Sequence, residues 1–199
     1  MTPLWAGWAD HNWPEHKWSR SKYQRIKIGQ FEIIDAYLPT PPKRILDIGC
    51  GLAFESELFQ KKYGTELYLL DGDAQMNKPH QTRRHKYGGV EDMKFLTGAK
   101  RLKQSYDERG MRYHFINAAA PSIPDGVTFD LVCSSMSCGF HYPVAAYADL
   151  IKKHTDENSR LIFDIRNNLK QHDVQGSFDV IAVLMAIGNK YRKCEIKLK

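Results

Sequence analysis

Arg44-Ile-Leu-Asp-Ile-Gly-Cys-Gly-Leu-Ala53 decides the reading of this chain. Ile45, Leu46 and Ile48 form a short apolar run, which predicts a buried strand. Gly49-Cys50-Gly51 breaks the run into a turn. Phe54, Leu58 and Phe59 then recur at helical spacing, with Glu55 and Glu57 in the first turn of that helix. Strand, glycine turn and helix, in that order, make the first half of a nucleotide-binding βαβ unit. Glycines belong at such a turn because they accept positive φ and let a ligand approach bare backbone. The amides at the start of the helix then face that ligand.

Two carboxylates narrow the ligand. Asp47 lies two residues before Gly49, where a negative charge repels a pyrophosphate and suits a cation. Asp71 ends a second apolar run, Leu67-Tyr-Leu-Leu70, where the second strand of the unit finishes. An acid there accepts hydrogen bonds from both ribose hydroxyls. A ligand with a ribose, no phosphate and positive charge fits S-adenosylmethionine. Leu46-Asp-Ile-Gly-Cys-Gly-Leu-Ala53 resembles the first motif of the class I S-adenosylmethionine-dependent methyltransferases. Ala53 stands where many members carry a third glycine. The cofactor residues expected from this stretch are Asp47, Gly49, Cys50, Gly51, Asp71 and Gly72.

The resemblance runs from about Lys43 to Leu198. It implies a Rossmann-like α/β fold: a mostly parallel seven-stranded sheet, helices on both faces and a C-terminal antiparallel hairpin. Strands are expected at 44–48, 66–71, 113–116, 129–133 and 160–165, and the hairpin at 178–187 and 191–198, turning at Gly188-Asn189. Helices are expected at 23–37, 53–63, about 90–108 and 144–154, with a short one near 169–175. The family places Asp or Asn, then Ala, against the adenine, which implies Asn117 and Ala118 here. Phe129-Asp-Leu-Val-Cys133 resembles a further family motif, and Ser134 follows it at the cofactor. Ser134 to Pro143 is expected as a loop at the carboxyl end of a central strand, where such sheets put their chemistry.

Two segments stand apart. All four tryptophans, Trp5, Trp8, Trp13 and Trp18, fall in the first eighteen residues, among His11, His16, Lys17, Arg20, Lys22 and Arg25. Three readings of this arm, residues 1–30, stay open: a cover over a sheet edge, a lid over cofactor and substrate, or a surface on which bases stack. As a lid it would bring Trp13 and Trp18 to the substrate. Residues 74–112 exceed a usual crossover and begin with a basic stretch, Lys78 to Lys86, read as an insertion beside the ribose.

The chain has 199 residues, of which 42% are hydrophobic and 26% charged, enough for one domain with a core. No run approaches a membrane span, and the N-terminus lacks a secretory pattern, so a cytoplasmic protein is expected. Cys50, Cys133, Cys138 and Cys194 have no metal or disulfide spacing and read as reduced, buried residues; no metal is expected. The net charge of +6 permits an anionic partner without requiring one.

A sulfonium methyl is already activated, so the protein must align a nucleophile and exclude water. A hydroxyl acceptor also needs a base. His141, after the fourth strand, is the candidate; equally, it serves to shape the pocket. Phe140 and Tyr142 line the acceptor site, and Asp164 and Arg166 face the same cleft. The motifs of amino-methylating and cytosine-methylating nucleic-acid enzymes are absent after the fourth strand. A small-molecule hydroxyl, including that of a sugar, is therefore the expected acceptor. A nucleic-acid methyltransferase and a non-catalytic binder of S-adenosylmethionine or S-adenosylhomocysteine are the alternatives. Oligomeric state is not written in the sequence.

Overall fold

The computed structural model describes residues 20–73, 98–166, 178–188 and 191–199, with residues 20–23, His141 and Tyr142 described in backbone only. Helix α1 spans Arg20–Tyr37, and strand β1 spans Arg44–Ile48. Helix α2 follows at Phe54–Tyr63, then β2 at Glu66–Asp71. Next come α3 (Ala99–Glu108), β3 (Tyr113–Asn117), β4 (Leu131–Ser134) and β5 (Ser137–Tyr142). A 3-10 turn, Val144–Tyr147, leads into α4 (Ala148–Lys153). Strands β6 (Arg160–Arg166), β7 (Phe178–Ile187) and β8 (Tyr191–Leu198) complete the described elements.

Seven strands form one sheet in the order β3-β2-β1-β4-β6-β8-β7. The first five are parallel, and β8 runs antiparallel to both β6 and β7. The chain winds outward from β1 to β3, then returns to place β4 on the other side of β1. That reversal opens a crevice at the carboxyl ends of β1 and β4.

Side chains alternate across the sheet and divide the core in two. Ile45, Leu67, Leu69, Leu131, Cys133 and Ile162 meet Phe31 and Ile34 of α1, Leu58 and Phe59 of α2, and Leu102 and Tyr106 of α3. Leu46, Ile48, Leu70, Val132, Phe163 and Ile165 meet Val144, Tyr147 and Ile151 on the opposite face. Helix α2 also shows why its sequence is helical. Glu55 and Glu57 lie in its first turn and Lys61 and Lys62 in its last, matching the helix dipole. Gly64 ends it at φ 74 by donating its amide to the Gln60 carbonyl.

The expected loop from Ser134 to Pro143 is in part a strand. Met136 takes a φ of 54, and after it the chain extends as β5, passing through Gly139 at a φ of 83. Gly139 permits this because a Cβ there would sit 2.8 Å from Ile165 Cδ1 and 3.0 Å from the Asp164 carbonyl. The expected helix at 144–154 begins as the 3-10 turn and becomes α-helical only at Ala148. The fourth strand starts two residues later than expected and runs through Ser134. Of the helix expected at 90–108, the described part is Ala99–Glu108; the short helix expected near 169–175 lies outside the described residues. The edge strand β7 bulges at Val180/Ala182 and Val183/Met185 and exposes Val180, Ile181, Val183 and Ile187. All four cysteines are buried and free. Among the described residues no helix is long and apolar enough to cross a membrane.

Candidate active site

The glycine turn hangs on the end of β2. Gly49 and Cys50 both donate their amides to the Leu70 carbonyl, at 2.7 and 3.2 Å. Gly49 and Gly51 take φ of 69 and 51. Ala53 takes a φ of 52 as the residue before α2. It thus holds the left-handed conformation that glycine adopts more easily, at a strain of about 1 kcal/mol. Tyr106 of α3 donates its hydroxyl to the Gly51 carbonyl and lies 3.4 Å from the Cys50 Sγ. Arg109, one turn on, donates to the Leu52 carbonyl and pairs with Glu57, both at 2.5 Å. Helix α3 therefore grips the carbonyl side of the turn.

Asp47 is 5% exposed, and its Oδ2 accepts the Ser56 hydroxyl at 2.6 Å. Burial, reinforced by the nearby Glu55, pushes its carboxyl up to about 7, against the opposing pull of Ser56 and Lys27. Lys27 of α1 is itself paired with Glu55 at 2.7 Å. Asp71 closes the turn from the other side. Its Oδ2 accepts the Gly51 amide at 2.6 Å and its Oδ1 the Gly72 amide at 2.7 Å. Burial pushes Asp71 up to about 6 even with those two amides holding it down. Among the described residues, two carboxylates short of positive partners thus flank the turn.

Asn117 pairs in register with Asp71, and Ala118 donates its amide to the Asp71 carbonyl at 2.9 Å. The Asn117 Oδ1 accepts the Ala119 amide at 3.0 Å, which fixes the side chain at the rim. Ser134 is different. It is 0% exposed, and its hydroxyl donates to the Ile48 carbonyl at 2.7 Å and accepts the Cys138 amide at 2.8 Å. Its side chain is used to staple β1 to the start of β5 and turns away from the rim.

Further along the rim, Asp164 of β6 and Lys193 of β8 form a 2.8 Å ion pair, both fully buried. The Met136 amide reaches the Asp164 Oδ2 at 3.0 Å, and Gln30 of α1 donates to the same oxygen at 3.4 Å. Burial pushes Asp164 upward while Lys193 opposes it. An open depression of about 800 Å³ occupies the other rim, between Gln60, Glu66, Arg112 and His114. It lies at the amino ends of β2 and β3, where such sheets do not hold their ligands.

No family model matches the chain, and no curated protein does either. Solved structures share its fold. The PH0226 protein of Pyrococcus horikoshii superposes with a TM-score of 0.58 at 15% identity, covering 91% of this chain and 92% of that one. The ribosomal protein L11 methylase of Lactobacillus delbrueckii gives 0.53 at 13% identity, covering 96% and 92%. The plantazolicin methyltransferase BpumL, solved with S-adenosylhomocysteine and a desmethyl analogue, gives 0.50 at 15% identity, over 74% of this chain and 49% of its own. The chain has the class I methyltransferase fold. Within that fold the glycine turn of this chain lies at the switch point, with Asp71 and then Asn117 beside it along the carboxyl rim.

The methyltransferase fold leaves other expected residues in varied places. Phe140 of β5 packs edge-on to Tyr191 at 5.3 Å, with the Arg166 guanidinium 5.1 Å over its ring. His141 and Tyr142 lie on the same strand, their side chains outside the described residues. Trp13, Trp18 and the basic stretch at 78–86 are outside them too. Among the described residues no cluster of His, Cys, Asp and Glu is arranged to hold a metal. Sequence reading missed Lys27, Gln30, Ser56, Tyr106, Arg109 and Lys193. Only Lys27 and Gln30 left a trace, as polar residues among the apolar positions Ile26, Ile28 and Phe31 of an amphipathic helix.

Proposed function

We propose that this chain is an S-adenosylmethionine-dependent methyltransferase that acts on a hydroxyl of a small molecule, with sugars the first class to try. The observation that supports it is the pair Asp47 and Asp71 on either side of the turn amides. A buried and a half-buried carboxylate, both under-compensated among the described residues, fit a ligand that brings positive charge and two ribose hydroxyls. When bound there, S-adenosylmethionine supplies a methyl group already activated on a sulfonium. The turn, braced by Tyr106 and Arg109, fixes the backbone that receives its amino-acid end. Asp71 accepts from the ribose, and Asn117 borders the adenine. His141 takes the proton of the acceptor hydroxyl. The fold-sharing proteins named for methyl transfer support the reaction class and leave the acceptor open.

Calorimetric titration of the full chain with S-adenosylmethionine and S-adenosylhomocysteine tests the cofactor. Incubation with methyl-deuterated cofactor and a cell extract, followed by mass analysis, tests the transfer. A labelled small molecule is expected. A labelled nucleic acid would replace the acceptor in this reading. Cofactor binding with no labelled product would make the chain a binder and not an enzyme.

A further inference from the structure

Resting on the methyltransferase reading above, we propose that Gln30, Ser135, Asp164 and Lys193 form the acceptor subsite, and that it takes a hydrogen-bond donor, a hydroxyl or an amine, on a molecule bearing no negative charge at that point.

The placement follows from register. Ile48 pairs with Leu70, Asp47 with Cys133, Ser134 with Phe163, and Asp164 with Lys193. Continuing the first and third pairings by one residue and the second by two sets Asp71, Gly49, Ser135, Asp164 and Lys193 in one row across the carboxyl rim. Alternation puts all five on the face that α1 covers, the face of Ile45, Leu69, Cys133 and Ile162. Adjacent strands lie about 4.8 Å apart, so Asp164 stands roughly 10 Å along the rim from Gly49. A ligand on the turn and Asp71 therefore has its far side toward Asp164 and Lys193.

The chemistry of that end is lopsided. Gln30 is 2% exposed, and its Oε1 has no hydrogen-bond partner among the described residues. Its amide nitrogen is committed to the Asp164 Oδ2. The free function is thus an acceptor, and buried acceptors call for an N–H or O–H. Lys193 is matched by Asp164 and donates on to the Ser135 hydroxyl at 3.3 Å. On the α1 side of the rim, Asp47, Glu55, Asp71 and Asp164 face only Lys27 and Lys193 among the described residues. An anion brought there meets an excess of two carboxylates, although the chain as a whole carries +6. Met136 adopts its positive φ where its amide meets Asp164. Backbone strain in a non-glycine residue is characteristic of functional positions.

The test uses the full chain, selectively ¹⁵N-labelled in glutamine and saturated with S-adenosylhomocysteine. The probes are 2-phenylethylamine, 2-phenylethanol and phenylacetate, which share a skeleton. The Gln30 side-chain resonance is assigned by its loss in Gln30→Leu. The amine and the alcohol are expected to shift it, and phenylacetate to leave it in place. Gln30→Leu should weaken amine and alcohol binding at least ten-fold and change S-adenosylhomocysteine affinity less than two-fold. Gln30→Glu, nearly isosteric, should favour the amine over the alcohol at least ten-fold more than the wild type does. Equal shifts from phenylacetate, no shift from any probe because a resident water holds Gln30, or an unchanged amine preference in Gln30→Glu would each overturn the subsite. Failure of S-adenosylhomocysteine to bind the wild type would instead overturn the methyltransferase reading beneath it.

Discussion

Asp47→Asn isolates the charge at the glycine turn. Burial holds the Asp47 carboxyl at about 7 in the folded chain, against 3.8 for an ordinary aspartate. A folded acid with a raised pKa keeps a proton that the unfolded chain has already released. Stability through this group is therefore greatest in acid, falls as pH rises from 3.8 toward 7, and is level above that. Each pH unit inside the window costs about 1.4 kcal/mol. Between about pH 5.5 and about pH 8 the wild type should lose about 2 kcal/mol through Asp47 alone. Asparagine keeps an oxygen to accept the Ser56 hydroxyl but does not titrate. Urea unfolding of the ligand-free protein at both pH values should show that loss in the wild type and about 2 kcal/mol less of it in Asp47→Asn. The residual slope should follow Asp71, whose carboxyl is pushed up to about 6. At about pH 8 the variant should be the more stable protein while binding S-adenosylmethionine more weakly. Parallel stability curves for the two proteins would refute the assignment of an uncompensated carboxylate to this turn.

Asp71→Asn should weaken S-adenosylhomocysteine binding by about 1–3 kcal/mol in calorimetry, since the ribose loses a charged acceptor; unchanged affinity would move the ribose contact elsewhere. Tyr106→Phe removes the donor to the Gly51 carbonyl while keeping the buried ring, and should lower S-adenosylhomocysteine affinity with a smaller effect than Asp71→Asn; equal affinity would mean the turn holds its shape unaided. Gly139→Ala places a methyl group against Ile165 and the Asp164 carbonyl at a φ of 83, and should cost on the order of 3 kcal/mol in urea unfolding. His141→Ala should slow methyl transfer roughly 10²–10⁴-fold with little change in cofactor affinity, and should remove the acid limb of the pH–rate profile. Activity restored by His141→Asn would assign this residue to positioning instead.

Strands β1 and β2 were legible because they are short, buried along nearly their whole length and flanked by glycine or proline. Leu67 to Leu70 can be little else, and the turn at Gly49 fixes what precedes and follows it. Asp47 and Asp71 could be singled out as acids at the ends of apolar runs. Asp164 sits in a similar run, Leu161 to Ile165, yet its meaning depends on Lys193, which the antiparallel register of β8 brings opposite. That register cannot be read from β7, whose two bulges break the alternation that would set it. Strand β5 was missed for another reason. Ser137-Cys-Gly-Phe has no strand periodicity, and it extends only because Gly139 fits flush against β6. Tyr106 falls within the helix expected at about 90–108; that its hydroxyl ends on the glycine turn is a matter of tertiary packing.

The order of strands also imposes an order in time. The chain makes β7 before β8, but β8 is the strand that lies between β6 and β7. Until β8 is made, β7 has no partner among the described strands, the β8-facing edge of β6 is bare, and Asp164 waits without its lysine. The whole antiparallel side must then assemble as one late event, with the rim charge balanced by its last arrival. A nascent chain halted after β7 would present two open strand edges and a stretch from Val180 to Ile187 with no charged residue in it. The acidic rim thus reaches its native charge balance only when β8 slides into place.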